Sequence, residues 1–407
     1  MKHETFDTTD AAQITVSVID TLDGLAAIKA EWEELFDADL EATVFLSYSW
    51  LHRAFAANAL RWSVLVARDR ARGGNIVGIL PLKYRTHWSE SRQSVVSEIE
   101  AGGRLMFSEY VGFLCRPGVE VAAIRALARH SATMPWSKLS VRYIAQARRA
   151  KIFTDAFEGG DFRVEFRRYM INKGQTNNLL CPQVELPESF DQYLADSISS
   201  NQRQKYRRLL RKKIDSGEFR VTVADATTAM RDIDILLGLW QIRWQGEKGA
   251  SKAAEVARNY REVLRAAKED GILFLPVLWQ GDTPIGALGH IEDRKNGILH
   301  FIVGGRQISS DEGGIGQLLH MESIRHAIAQ GFICYDFCHG NEPYKYSYGA
   351  ADTEALYFTI RRRSKDTTML FDPICTPQAI DRIRQLLKAK EVASAEAATE
   401  ALAKSLR

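Results

Sequence analysis

The sequence has no apolar run long enough to cross a membrane, and it carries little net charge. Its formal charge is +3 over 407 residues, which gives no overall argument for a nucleic-acid or membrane partner. A membrane-spanning helix needs about 18 or more uninterrupted apolar residues. Residues 1–10 are polar and acidic, without the apolar region of a secretion signal. We therefore expect a cytoplasmic protein without a membrane span.

Cysteine is also scarce. The five cysteines are odd in number and do not follow the spacing of a disulfide framework. Cys334 and Cys338 would lie about 13 Å apart in a strand, too far to share a zinc ion or a disulfide. His290, His300 and His320 lie among apolar residues, with no carboxylate at metal-ligand spacing. We expect reduced cysteines and no metal site.

The apolar content is sufficient for two domains, and one pattern occurs twice. Hydrophobic residues make up 45% of the chain. Residues 62–82 and 273–290 each predict an apolar hairpin that follows a helix rich in Trp and Leu. Each hairpin precedes further strands, a helix and a strand, and Gly78 of the first aligns with Gly286 of the second. Two copies of one α/β unit explain this pattern most simply.

The strand signals predict mixed sheets. Asn296 and Gly297 predict a two-residue hairpin and hence antiparallel strands. The helix-to-strand step over residues 318–336 adds a parallel neighbour. The expected fold class is therefore α/β, with two tandem units of mixed sheet and helices on both faces. We divide the chain into a flexible N-terminus (1–13), a first unit (14–175), a second unit (176–365) and an appended C-terminal helical tail (366–407), whose helix we expect to be capped by Thr376.

Residues 298–345 are the most informative part of the chain. Gly313, Gly314 and Gly316 lie between a predicted strand and a predicted helix, where free backbone N–H groups can bind a phosphate. The same glycines would also suit a helix start that needs only flexibility. A second group of polar residues follows the next strand, where α/β units usually bind ligands; it consists of Asp336, His339, Glu342, Tyr344 and Lys345. Phosphate binding beside acid–base residues suggests group transfer.

Two helical segments offer candidate binding surfaces. Ser199 or Ser200 can cap a basic helix in which Arg203, Arg207 and Arg211 form one stripe. This stripe is either a solvated face or a docking surface for an anionic acceptor, and an RNA contact is the least favoured option. Trp240 and Trp244 are at helical spacing and belong either to the core or to the wall of a sugar-binding cleft.

Taken in order, these motifs resemble the tandem GNAT-fold acyltransferases of the CelD-like (cellulose and exopolysaccharide biosynthesis) family, relatives of the FemABX peptidyltransferases. The similarity covers roughly residues 14–365. The motifs that carry it are Gly-Ile-Leu-Pro-Leu at 78–82, Glu109-Tyr110, Cys181-Pro182 ahead of Leu186-Pro187, the arginine-rich helix, Asp336-Phe-Cys-His-Gly340 and Glu342-Pro-Tyr-Lys345.

The resemblance implies transfer of an acyl group from acetyl-CoA or another acyl-CoA to an amine or hydroxyl by direct attack in a ternary complex. The acceptor would be a sugar or a cell-envelope or exopolysaccharide precursor, contacted by Arg203, Arg207, Trp240 and Trp244. The expected cofactor-binding residues are Val303, Gly304, Arg306, Gly313, Gly314, Ile315 and Gly316. Asp311 stands where the superfamily loop usually has Gln or Arg, with Arg306 and Gln307 nearby to offset it. We expect no cofactor in the first unit, which has only Arg116, Pro117 and Gly118 before its helix.

If the reaction is acyl transfer, the polar residues that begin at Asp336 have expected roles. Asp336, His339 or Glu342 could deprotonate the nucleophile, and Tyr344 could protonate the leaving sulfur. Lys345 would stabilise the oxyanion or hold an acidic acceptor. In the alternative interpretation Glu342 and Lys345 form a surface ion pair and Tyr344 packs.

Two other functions stay open. The donor could be aminoacyl-tRNA, as in the FemABX relatives, and only in this alternative do we expect a nucleic-acid partner. A catalytically degenerate GNAT protein could also act as a scaffold or regulator of polysaccharide biosynthesis.

Overall fold

A computed structural model describes residues 13–307, 314–363 and 367–405 of the chain. They form two compact units. One consists of the chain up to Arg168 together with the chain from Ala355 onward, and the other is Tyr169–Glu354. Within the described ranges no helix is long and apolar enough to cross a membrane. The five cysteines are free thiols, as expected.

The described residues form strands and helices with the following bounds. The strands are β1 (Ile14–Ile19), β2 (Trp62–Asp69), β3 (Asn75–Ser89), β4 (Ser94–Ala101), β5 (Leu114–Cys115), β6 (Lys138–Ile144), β7 (Phe162–Phe166), β8 (Met170–Ile171), β9 (Thr176–Asn177), β10 (Leu180–Glu185), β11 (Phe219–Val223), β12 (Leu273–Phe274), β13 (Pro276–Gln280), β14 (Thr283–Asp293), β15 (Ile298–Arg306), β16 (Cys334–Asp336), β17 (Ala351–Glu354) and β18 (Leu356–Arg362). The helices are α1 (Leu22–Ala27), α2 (Lys29–Ala38), α3 (Tyr48–Ala56), α4 (Glu120–Thr133), α5 (Ala147–Asp155), α6 (Phe190–Asp196), α7 (Ser200–Leu209), α8 (Ala229–Lys248), α9 (Ala250–Glu269), α10 (Ile315–Ala329), α11 (Thr376–Lys388) and α12 (Val392–Ser405).

Each unit is built on one large mixed sheet. The strand order is β1-β2-β3-β4-β6-β18-β7 in the first unit and β11-β13-β14-β15-β16-β10-β17 in the second. β4 and β6 pair in parallel in the first sheet, and β15 and β16 do so in the second. The two orders correspond strand by strand. This confirms the predicted mixed α/β fold of two related units.

Glycines in equivalent strands explain how the helices pack on these sheets. A Cβ at Gly78 in β3 would lie 3.1 Å from Ala123 of α4, and a Cβ at Gly286 in β14 would lie 2.5 Å from Ile315 of α10. Gly289 points to the opposite face of β14, where a Cβ would meet leucines of α8 and α9. Helices therefore cover both faces of the second sheet, and the aligned glycines allow α4 and α10 to approach closely.

The two sheets exchange one strand each. β10 follows β7 in the chain but pairs with β16 and β17 of the second sheet. β18 follows β17 but pairs with β6 and β7 of the first sheet. Residues 355–363 therefore group with the first unit, whereas the sequence-based division assigned them to the second. Pairing between strands so distant in sequence leaves no local pattern that would reveal the exchange.

The turn between β14 and β15 is longer than predicted. Asp293 pairs with Ile298, which leaves a four-residue loop instead of a two-residue one. The Asp293 carboxylate accepts hydrogen bonds from the backbone N–H and the side-chain amide of Asn296, at 3.2 and 2.9 Å. Asp293 thus closes the turn with its side chain, and Gly297 follows with φ of 63°.

The C-terminal segment is not simply an appended helix. α11 starts at Thr376, so Thr376 is its first residue and not its cap. α11 and α12 bury Ala379, Leu386 and Leu402 in the same hydrophobic core as α4. These two helices are therefore part of the first unit.

Candidate active site

The parallel strands β15 and β16 separate soon after they meet. Ile298, Leu299 and His300 pair with Cys334, Tyr335 and Asp336, and there β16 ends. β15 continues through Val303 and Gly304 to Arg306, paired on its other side with β14. Among the described residues no strand pairs with residues 301–306 on the side that β16 has left. An open edge of backbone N–H and C=O groups results.

A bulge bends β15 at the same point. The register shifts between Gly289 and His290, which pair with Val303 and Phe301 and leave Ile302 as the extra residue. A bulge of this kind bends its strand and increases the local twist. The sequence therefore folds β15 away from β16 directly after His300.

The N-terminus of α10 lies beside this edge. Gly314 caps α10 with φ of 112°, and a Cβ there would meet Leu209 at 2.7 Å. A Cβ at Gly316 would meet no atom within 4 Å, so the space beside it is open. Ile315 is buried and can contribute only its backbone N–H. Arg306 is exposed and pairs with Gly286, which faces Ile315, so Arg306 lies next to the first turn of α10. The predicted Gly313 and Asp311 lie outside the described residues.

The corresponding position in the first unit is occupied by the chain itself. β4 and β6 pair over only three residues. Beyond them Val111 forms a bridge with Ile144, and its backbone N–H donates to the Tyr143 carbonyl at 3.0 Å. Gln146 then holds the backbone N–H of Phe113 at 2.8 Å. Residues 111–113 therefore take the place that is open beside β15.

Asp336 belongs to a buried ion-pair group. Its Oδ2 lies 3.0 Å from His300 Nδ1, and Asp293 Oδ2 lies 3.9 Å from His300 Nε2. Burial lowers the pKa of His300, but Asp293 and Asp336 outweigh it and raise the pKa to about 9. Cys338 also lies close, since ligand atoms of His300, Asp336 and Cys338 are within 4.8 Å of one another. His300 and the two carboxylates therefore form one buried ion-pair group.

Lys345 closes the loop that follows β16. It is 3% exposed, and its Nζ donates to the carbonyl oxygens of Phe337, His339 and Gly340 at 3.2, 2.8 and 2.7 Å. Because an ammonium group has three N–H bonds, its contact with Glu342 Oε2 at 3.0 Å is an ion pair. Lys345 thus has no donor left for an oxyanion or an acceptor, which does not fit the role predicted for it. The Glu342 and Lys345 pairing agrees with the alternative interpretation, except that Lys345 is buried.

Of the five predicted catalytic residues, His339, Glu342 and Tyr344 reach solvent. His339 is half-buried, with Nδ1 3.3 Å from Cys181 Sγ. The Glu342 side chain is 32% exposed. Tyr344 is 45% exposed, while burial of its hydroxyl, together with Glu342, raises its pKa above the ordinary value. Tyr344 is therefore protonated at neutral pH, as an acid for a leaving thiolate must be.

A buried network fixes the tautomer of His320. His290 Nδ1 lies 3.3 Å from the Phe274 carbonyl, so it carries the proton. Its Nε2 then accepts from the Tyr335 hydroxyl at 2.9 Å, and the Tyr335 oxygen accepts from His320 Nδ1 at 2.8 Å. Burial lowers the pKa of His290 and lowers that of His320 to about 3. Both histidines are therefore buried and neutral near pH 7.

Arg203 and Arg207 have different surroundings. Ser199 caps α7 as predicted, accepting from the Gln202 N–H at 3.3 Å. Arg203 donates to the carbonyl oxygens of Leu194 and Ala195, at 2.9 and 3.2 Å, and so ends α6. Arg207 is exposed. Of this pair, only Arg207 is exposed.

Trp240 and Trp244 lie on α8. Trp240 is 6% exposed and packs edge-on against Tyr260. A Cβ at Gly305 would lie 2.8 Å from the Trp240 backbone N, which shows how closely α8 approaches β15. Trp244 is half-buried beneath Arg243. Trp240 is thus a core residue, whereas Trp244 is only half-buried.

The sequence signals did not reveal that His300 faces Asp336. The two residues are 36 positions apart and meet only through the parallel register of β15 and β16. A polar residue on each of two adjacent buried strands would have been a usable signal, but the register needed to pair them was not available from local patterns.

Residues 200–346 match the acetyltransferase (GNAT) domain family. The match starts in α7, includes the point where β15 leaves β16, and ends just after the loop closed by Lys345. This part of the second unit is therefore similar to GNAT acetyltransferase domains. No curated protein sequence matches the chain, and the CelD-like resemblance is not confirmed.

Solved structures show the same fold at low sequence identity. The crystal structure of FemX has a TM-score of 0.55 and 11% identity, covering 81% of this chain and 95% of FemX. A conserved protein of unknown function from Bacteroides thetaiotaomicron VPI-5482 has a TM-score of 0.52 and 12% identity, covering 86% of this chain and all of that protein. A tandem GNAT protein from the clavulanic acid biosynthesis pathway has a TM-score of 0.45 and 10% identity, with coverage of 86% and 99%. At these identities the first two similarities establish the fold alone.

Proposed function

We propose that the second unit is an acyltransferase that binds acetyl-CoA or another acyl-CoA along the open edge of β15. The observation that carries the proposal is the short pairing of β15 with β16, which ends at His300 and Asp336. The backbone groups of residues 301–306 can then hydrogen-bond the amides of the pantetheine arm as a neighbouring strand would. Val303 and Gly304 lie in the middle of this edge.

The diphosphate of the donor would bind at the first turn of α10. Free backbone N–H groups at a helix N-terminus attract anions. The open space beside Gly316 and the exposed Arg306 support this placement. We retain Gly314, Ile315 and Gly316 as contacts through their backbone groups.

Catalysis would be a direct attack in a ternary complex. The acceptor amine or hydroxyl attacks the thioester carbonyl carbon and transfers its proton to Glu342 or His339. The tetrahedral intermediate then collapses with cleavage of the C–S bond, and Tyr344 protonates the departing thiolate. Asp336 and Lys345 act as positioning residues, because both are buried and occupied by His300 and by the loop carbonyls.

The proposed acceptor is a sugar or a cell-envelope or exopolysaccharide precursor, and this part rests on the family resemblance. Arg207 is exposed and Trp244 is half-buried, so each remains a candidate contact for an anionic sugar, the first as a cation and the second as an aromatic ring. A donor such as acyl-CoA would place the reaction in the cytoplasm.

Calorimetric titration of the whole protein with acetyl-CoA and with aminoacyl-tRNA tests the proposal. We expect acetyl-CoA to bind with a dissociation constant of about 1–100 μM, in the range of common substrate affinities. If only aminoacyl-tRNA binds, the donor is aminoacyl-tRNA and not acyl-CoA. Binding of neither would favour a scaffold.

A further inference from the structure

Helix α7 and the π-helical turn after it, Leu210–Ile214, carry a concentration of unpaired positive charge. Five exposed cations lie here, namely Lys205, Arg207, Arg208, Arg211 and Lys212. None of the five forms an ion pair or a side-chain hydrogen bond with another described residue, whereas the adjacent Lys213 pairs with Glu218. Like charges three or four positions apart on a helix destabilise it by about 0.2–0.5 kcal/mol per pair. An anion bound to this surface would remove that repulsion.

The packing of α7 determines where these charges lie. Its inner face contacts α10 through three residues. Gln317 donates to Gln202 at 3.2 Å, the Tyr206 hydroxyl donates to Glu322 at 3.1 Å, and Leu209 reaches Gly314. Residues three or four positions apart share a side of a helix. Lys205, Arg208 and Lys212 therefore form one edge beside this inner face, which we call the α7 basic edge.

The α7 basic edge lies next to the first turn of α10. Leu209 directly contacts the position of Gly314, and Lys205, Arg208 and Lys212 are all within four residues of Leu209. Lys and Arg side chains are long enough to reach past Leu209 toward that turn. Arg207 and Arg211 project from the far side of α7, away from α10.

We infer that the α7 basic edge binds the 3′-phosphate on the ribose of coenzyme A. This inference rests on the proposed acyl-CoA donor. The α10 amides and Arg306 can neutralise the diphosphate, which leaves the 3′-phosphate as the remaining dianion of the donor. A single ribose separates that phosphate from the diphosphate, so both must lie within the reach of neighbouring side chains. Lys and Arg form strong charge-assisted hydrogen bonds to phosphate oxygens.

Calorimetric comparison of coenzyme A with dephospho-coenzyme A, which lacks the 3′-phosphate, tests this assignment. The wild-type protein should bind coenzyme A at least about tenfold more tightly, since a charge-assisted contact contributes about 1.5–3 kcal/mol. The triple variant Lys205→Gln, Arg208→Gln, Lys212→Gln should bind the two ligands equally, with unchanged affinity for dephospho-coenzyme A. The preference in the wild type should also decrease as salt increases.

The matched control removes three exposed positive charges from α9 instead, by Lys252→Gln, Arg258→Gln and Arg265→Gln. This variant should keep the full preference for coenzyme A. Three results would overturn the inference and leave acyl-CoA binding intact. These are equal affinity of the wild type for both ligands, equal weakening of both ligands by the α7 changes, and loss of the preference in the α9 control. Failure of both ligands to bind the wild type would overturn the proposed function together with the inference.

Discussion

At the scale of single residues, burial divides the polar side chains after β16 into two groups. Asp336 and Lys345 are 0% and 3% exposed and are fully engaged within the protein. His339, Glu342 and Tyr344 reach solvent. Charged groups are rarely buried unless they are paired. The first group therefore builds the loop, and the second is available for chemistry.

Replacement of Lys345 should cost mainly stability. Lys345→Met would remove the hydrogen bonds from the ammonium group to three carbonyl oxygens, and we expect the free energy of unfolding to fall by about 3 kcal/mol. Urea unfolding measures this loss. The surface variant Lys252→Met should change stability by less than about 0.5 kcal/mol. A stable Lys345→Met protein with abolished turnover would instead restore a direct catalytic role.

Because of the His300 ion pairs, the free energy of unfolding should decrease at alkaline pH. The pKa of His300 is raised to about 9 in the folded state, against about 6.5 in an unfolded chain. The stabilising contribution is therefore complete below about pH 6.5 and is lost as the pH rises through 9. The stability difference between wild type and His300→Gln should shrink over this interval by up to about 3 kcal/mol.

His130 supplies the control, since burial lowers its pKa. The stability difference between wild type and His130→Gln should show no loss between pH 7 and 9. A His300→Gln difference that stays constant over the same interval would show that His300 is not charged in the folded protein.

At the scale of elements, the start of α10 has two glycines with opposite structural demands, one at the cap and one inside the helix. Gly314 needs a left-handed backbone and has Leu209 against it, whereas Gly316 lies inside the helix beside open space. Gly316→Ala should therefore stabilise the protein by up to about 1 kcal/mol. Gly314→Ala should destabilise it.

The two variants also separate folding from ligand binding. If the diphosphate lies beside Gly316, Gly316→Ala should weaken acetyl-CoA binding despite the gain in stability. Thermal unfolding and calorimetry on the same samples measure both effects. Unchanged affinity in Gly316→Ala would place the diphosphate elsewhere.

The elements could be predicted largely from local sequence, but their partners could not. The helix-to-strand step over residues 318–336, the cap at Ser199 and the alignment of Gly78 with Gly286 are local signals, and the structure agrees with them. The strand exchange of β10 and β18, the pairing of His300 with Asp336 and the triple contact of Lys345 depend on long-range pairing. The polar loop was found because it follows a strand, while the burial that separates its residues into two groups required the folded structure.

At the scale of the whole molecule, the first unit depends on the end of the chain. β18 contributes Phe358 and Ile360 to the first core, and α11 and α12 add further buried residues. A chain that ends at Glu354 should lose the cooperative unfolding transition of the first unit. Limited proteolysis should then cut within residues 62–101. Protection equal to that of the full chain would show that β18 is dispensable.

Hydrogen–deuterium exchange with and without acetyl-CoA tests most directly whether the donor lies along β15. Binding should slow exchange of the amides in residues 301–306 and in the first turn of α10. It should leave residues 111–116 of the first unit unchanged, because there the chain itself occupies the corresponding edge. Protection confined to the first unit, or binding without any change in residues 301–306, would contradict an acyl-CoA site at the open edge of β15.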